Sequence, residues 1–191
     1  MYLTRRIFLI HGWGGSPKND WFPWAKEELS KSGFDVIVPE MPETNHPKIG
    51  LWTNKLKMVV GKPKRDDIFV GHSVGCQAIL RYLETISDNV DKVVLIAPWW
   101  YLTLDKNEEQ SDADPWLKAD VDFDKVKSKA NKFIAVFSDD DPYVPLQENG
   151  EFFKEKINPE ILVENKMGHF TESDGVNKIP FLTKLVKQSF N

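Results

Sequence analysis

Three groups in this 191-residue chain could together carry out nucleophilic chemistry: Ser73, the aspartate run Asp139-Asp140-Asp141, and His169. Ser73 is the centre of Gly71-His72-Ser73-Val74-Gly75, set between the apolar run Ile68-Phe69-Val70 and a helical pattern from Val74 to Ile86. A serine on a sharp strand-to-helix turn presents its hydroxyl above the sheet edge, and flanking glycines let neighbouring segments close on it without Cβ clashes. The pentapeptide alone also fits a glycine-lined turn with a capping serine. Its meaning therefore depends on what the rest of the chain supplies.

A neutral serine hydroxyl is a poor nucleophile and needs a base. His169, in Gly168-His169-Phe170, would take its proton during attack and return it to the leaving group. An aspartate on the far ring nitrogen would fix the tautomer and stabilise the imidazolium. The oxyanion needs preorganised donors: the backbone N–H of Val74, directly after the serine, and that of Trp13 in the loop His11-Gly12-Trp13-Gly14-Gly15. The glycines let that loop bring its amides close, and loss of one such donor typically costs ~2.7–4 kcal/mol. The chemistry so assembled is cleavage of a small carboxylic ester or thioester through an acyl-enzyme, with a small-molecule substrate and neither cofactor nor metal. No His-x-x-x-His or Cys/His ligand spacing accompanies the histidines.

These residues must be positioned by a scaffold. Strands are predicted over Arg6 to His11, Phe34 to Pro39, Asp67 to Gly71, Lys92 to Ala97, Lys132 to Ser138 and Glu160 to Glu164, each a continuous Val/Ile/Leu/Phe run of the kind buried on two faces. Helices are predicted over Pro23 to Ser32, Leu51 to Val60, Val74 to Ile86, Asp124 to Lys129, Leu146 to Lys156 and Ile179 to Phe190. Such alternation implies a single α/β domain over 1–191, a parallel sheet with helices on both faces. Ligands of an open α/β sheet collect at the carboxyl ends of the strands. The loops after the first, third, fifth and sixth strands hold the candidate residues, in the chain order Ser, Asp, His.

Two connections are rich in aromatics. Trp13 to Trp24 contains three tryptophans, and Trp99 to Asp120 is long enough to read as a lid or binding segment. Trp99, Trp100 and Tyr101 are the substrate-pocket candidates, although the same residues also fit a plug at the core edge; Trp21, Trp24 and Trp116 read as core. The acidic Asp105 to Asp124 stretch disfavours strongly anionic substrates. His11 is expected to brace the glycine loop, His72 to matter through its backbone and packing more than its imidazole, His46 to be exposed and inert, and Cys76 to be a small core residue.

The net charge of −4 with interleaved Lys, Glu and Asp gives no basic stripe, which argues against nucleic acid or an acidic membrane as partner. Arg5-Arg6 with Ile7-Phe8-Leu9-Ile10 is too short for a signal peptide and reads as the first strand. One cysteine excludes an intrachain disulfide, and a reducing, cytoplasmic setting is expected.

Taken together, the His11 to Gly14 opening, the Gly71 to Gly75 pentapeptide, the Ser-x-Asp-x-x-x-x-Pro pattern at Ser138 to Pro145 and the Gly168-His169-Phe170 ending resemble the small α/β-hydrolases of the retinoblastoma-binding-protein-9 and YdeN family. The resemblance spans nearly the whole chain, including Asp20-Trp21-Phe22-Pro23-Trp24 and the loop Pro39 to Pro42. It implies a reduced α/β-hydrolase fold with sheet order 2-1-3-4-5-6 and no separate lid domain. It also implies serine-hydrolase activity on small esters, and it makes Asp140 the acid of a Ser73-Asp140-His169 triad, with Asp139 and Asp141 as alternatives. A second reading is an interaction protein that uses the same scaffold to bind a protein partner, since fold does not dictate function.

Overall fold

Residues 4–104 and 110–188 are described by the structure, a computed structural model. Continuous apolar runs form β1 (Arg6–Ile10), β2 (Asp35–Ile37), β3 (Ile68–His72), β4 (Val90–Ile96), β5 (Ala130–Ser138) and β6 (Glu160–Glu164). They pair in parallel in the order β2-β1-β3-β4-β5-β6. β3 is buried along its whole length, as a central strand covered on two faces must be. β2 keeps only three of its six predicted residues, since Pro39 has no N–H to donate to a ladder.

The helices are α1 (Phe22–Lys31), α2 (Ile49–Val60), α3 (Val74–Thr85), α4 (Gln110–Lys118), α5 (Phe123–Lys127), α6 (Leu146–Lys156) and α7 (Phe181–Lys187). Parallel crossovers are right-handed. The step from β1 to β2 runs one way along the sheet and every later step runs the other, so α1 lies on one face and α2, α3, α5 and α6 on the opposite one. The contacts agree: α1 packs with α7, whereas α2 and α5 pack with α3. Between β1 and β3 the connections depart in opposite directions, and the crevice above such a switch point is where an α/β sheet receives ligands.

Two features lie at the other edge of the sheet. Asp67 is buried and takes a bidentate pair from Arg6, at 2.8 and 2.6 Å, fixing β1 against the start of β3. Lys92 of β4, also buried, donates to the carbonyls of Leu185 and Gln188 at 2.8 Å, so its charge caps the C-terminal end of α7.

The segment expected to be a long loop contains α4. Its polar sequence and internal Pro115 conceal it, because proline removes one intrahelical bond. Packing overrides propensity: Ala113 and Trp116 share a buried face, and the Trp116 indole donates to Pro47 O at 2.8 Å. Asp105 to Glu109 of the same segment, and Ser189 and Phe190 of the last predicted helix, lie outside the described residues. That helix begins at Phe181 rather than Ile179, with Pro180 at its N-cap. Among the described residues no helix is long and apolar enough to cross a membrane.

Candidate active site

The passage from β3 to α3 takes one residue, and that residue is Ser73. The turn forces it to φ 52° and ψ −121°, a region side chains avoid at a cost of about 1–3 kcal/mol. Its N–H donates to Ile96 O at 3.0 Å and its carbonyl accepts from Cys76 N at 2.9 Å, so the strain is held from both sides. Glycine is required around it. A Cβ on Gly75 would fall 2.7 Å from His11 O and closer still to Ile10 O, and one on Gly71 would fall 2.8 Å from Cys76 N.

The loop of His169 is tied down by three successive carboxylates. Asp139 accepts from Lys166 N at 2.7 Å and Asn165 Nδ2 at 2.5 Å. Asp140 Oδ1 accepts from Ser138 Oγ at 2.7 Å and from Gly168 N at 2.8 Å, and the Ser138 hydroxyl in turn accepts from Met167 N. The Ser138 hydroxyl first, and then the Gly168 amide, hold the Asp140 carboxyl below the usual carboxylate range. Asp141 Oδ2 meets His169 Nδ1 at 2.8 Å, with both side chains largely buried.

The acid on the imidazole is thus Asp141, and the expectation of Asp140 is corrected. The reason is local. Pro142 supplies no N–H, so the Asp141 carboxylate reaches past it to the amides of Tyr143 (2.9 Å) and Val144 (3.0 Å), which folds it inward with its second oxygen on His169. Asp140 turns the other way, onto the loop backbone.

The histidines divide the remaining work. His11 donates from Nδ1 to Gly12 O at 3.1 Å and accepts at Nε2 from Met41 N at 3.2 Å, bracing the glycine loop as expected; burial lowers its pKa. His72 differs from expectation, because its imidazole is engaged: Nε2 donates to His169 O at 2.7 Å. Burial, followed by repulsion from His169, pushes its pKa down to about 3. His46 is exposed but also engaged, with Nδ1 2.8 Å from Asp112 Oδ2 of α4.

Ser73, His169 and Trp13 line one cavity of about 380 Å³ at the switch point. The glycine loop lies directly against the serine turn, since a Cβ on Gly12 would be 2.9 Å from His72 Nδ1 and 3.3 Å from Ser73 Cβ. Val74 is the first residue of α3, and its N–H has no acceptor within the helix. Of the pocket candidates only Trp99 reaches this cavity. Asn149 of α6 accepts from both Trp100 N (2.6 Å) and Tyr101 N (2.9 Å), which turns the chain away. The Trp100 ring then stacks on Phe152, with centroids 4.9 Å apart, and Tyr101 edges onto the same ring with half its surface exposed. The chain returns at Leu102 and Leu104, which line the cavity with Tyr143 on its apolar part, while Asp20, Asn45, His46 and Asp112 contribute polar groups. None of these had a sequence signal beyond its place after a strand or in a long connection.

The model of the family described as serine hydrolase matches residues 7–188 of the chain. A protein named as a hydrolase, YdeN of Bacillus subtilis, is 25% identical over 99% of this chain and 98% of its own length. Its crystal structure superposes with a TM-score of 0.87, covering 96% of this chain and 97% of that one. The serine hydrolase RBBP9 of Rattus norvegicus is 24% identical over 86% of this chain and 85% of its own length. Est1E of Butyrivibrio proteoclasticus shares the fold, with a TM-score of 0.73 at 17% identity over 96% of this chain and 86% of its own.

Proposed function

The chain belongs to the serine hydrolase family, and from that premise we propose that it cleaves a small carboxylic ester or thioester through Ser73, His169 and Asp141. The observation that carries this reading is the strained Ser73 turn opening into the same cavity as a histidine whose Nδ1 is held by a buried carboxylate. That bond leaves His169 Nε2 free of the proton it would otherwise carry, which is the tautomer a general base needs.

In the acylation step Ser73 Oγ bonds the substrate carbonyl carbon while its proton passes to His169 Nε2. The N–H groups of Val74 and Trp13 are the proposed donors to the oxyanion. Collapse breaks the bond to the alcohol or thiol, which leaves with the proton from His169; water then repeats the sequence and releases the acid. Asp141 stays ionised and stabilises the imidazolium in both steps.

Fluorophosphonate labelling coupled to hydrolysis of p-nitrophenyl acetate tests the proposal. A stoichiometric adduct on Ser73, with labelling and turnover lost in Ser73→Ala and His169→Ala, is the expected result. Turnover retained by a folded Ser73→Ala variant would overturn it.

A further inference from the structure

We propose that His72 is a positioning residue for this reaction: its imidazole fastens the backbone of His169 to the strand that carries Ser73. The inference rests on the roles proposed above for Ser73 and His169.

The tautomer of His72 follows from its partner. Nε2 faces the carbonyl oxygen of His169 at 2.7 Å, and a carbonyl only accepts, so Nε2 carries the proton. Nδ1 is then a bare acceptor, buried and without a hydrogen-bond partner among the described residues. It sits where Gly12 leaves room, a Cβ there being only 2.9 Å away. An apolar side chain of similar volume would fill this space without burying an orphaned acceptor, which destabilises a fold. The orphaned Nδ1 is therefore a cost that an apolar residue, packed on the same Trp21 and Phe22 rings, would not carry.

What Nε2 does is specific. The His169 ring is held by Asp141, and the backbone N–H of His169 by Asp174 Oδ2 at 2.9 Å, but both anchors belong to the β5 end and to the base's own loop. Among the described residues, only the bond from His72 crosses to the element bearing the nucleophile, one residue before Ser73. It fixes the distance between the two reacting side chains rather than the orientation of either alone. The group making it must also be uncharged, because its ring lies 5.0 Å from the ring of His169, which becomes cationic in each step. Burial and His169 keep the His72 pKa far below that of an ordinary imidazole. A lysine or arginine could donate the same bond but would oppose the imidazolium.

The test compares His72→Leu, which removes the donor, with His72→Gln, whose amide N–H can reach the place of Nε2, and His72→Asn, whose shorter amide cannot. Active sites are counted by fluorophosphonate titration, so misfolded protein drops out. His72→Leu and His72→Asn should lower kcat per titrated site about 10- to 100-fold, with KM within about threefold, and His72→Gln should recover most of the loss. Wild-type kcat per titrated site in His72→Leu overturns the proposal. So do equal rates for the Asn and Gln variants, which decide the matter if the Leu variant does not fold. Activity in Ser73→Ala would instead refute the roles on which the inference rests.

Discussion

Asp141 Oδ2 lies 2.8 Å from His169 Nδ1, and Asp140, one residue earlier, holds the Gly168 amide instead. Neighbouring carboxylates thus serve the same loop in different ways, one through the ring of His169 and the other through the amide of the preceding Gly168. Asp141→Asn would present an amide to Nδ1 and favour the wrong tautomer, lowering kcat by about 10³–10⁴-fold. Asp140→Asn preserves the ring contact and should stay within about tenfold of wild type, its main effect being on the loop. Steady-state rates of the two variants, normalised to labelled Ser73, separate the roles; a larger loss at Asp140 would return it to the imidazole.

The depressed pKa of His72 makes a statement about stability and pH. The unfolded chain binds the proton near the ordinary imidazole value of 6.5, whereas the folded chain refuses it until about 3. Between those values the unfolded state holds more protons, so stability falls as pH falls, by about 1.4 kcal/mol per pH unit from this one group. His11, lowered in the same direction, adds to the slope below its unfolded value. Urea midpoints measured from pH 7 to pH 4.5 should decline accordingly, and His72→Leu should remove about one proton's worth of the slope. An unchanged slope in that variant would mean that His72 is protonated in the folded state.

Strand-rich runs and their order were legible in the sequence because parallel strands buried on two faces leave continuous apolar stretches; all six strands appear with small shifts at their ends. Ser73 and His169 were legible for the same reason, each following a strand. α4 was not, since Pro115 and the surrounding acids hide a helix held by two buried residues, Ala113 and Trp116. The choice among Asp139, Asp140 and Asp141 turned on a hydrogen bond reaching past Pro142, which residue type alone does not disclose. Trp100 and Tyr101 misled because their neighbour Trp99 does face the cavity; the turn that separates them is made by Asn149, nearly fifty positions later.

Two helix glycines, Gly75 of α3 and Gly150 of α6, should respond oppositely to a methyl group. Gly75 packs α3 onto the backbone of β1, where a Cβ would meet the Ile10 and His11 carbonyls with nothing flexible to yield. Gly75→Ala should cost about 3 kcal/mol or more and displace the Trp13 loop, so that activity falls further than stability alone would dictate. Gly150, inside α6, has nothing within 4 Å of an added Cβ, and Gly150→Ala should stabilise by about 0.5–1 kcal/mol with activity unchanged. Chemical denaturation of both variants tests the pair, and a stable, fully active Gly75→Ala protein would contradict the packing of the Ser73 turn against β1.

Acyl-chain preference should follow Leu102 and Leu104 rather than Trp100. The cavity of about 380 Å³ is shared by acyl and leaving groups, which places it near the lower end of the roughly 300–1,000 Å³ of ligand pockets. Short esters should therefore turn over best. Leu102→Ala lengthens the apolar part lined by Trp99 and Tyr143. Each methylene it newly admits contributes up to about 0.8 kcal/mol, or roughly fourfold in kcat/KM, so the optimum should move to longer chains. Trp100 packs on Phe152 and Phe123 away from the cavity, and its removal costs up to about 3 kcal/mol of stability without moving the optimum. A series of p-nitrophenyl esters from acetate to octanoate distinguishes these cases. If Trp100→Ala shifts the chain-length profile and Leu102→Ala does not, the acyl group lies on the aromatic cluster of α6 and not beneath Trp99.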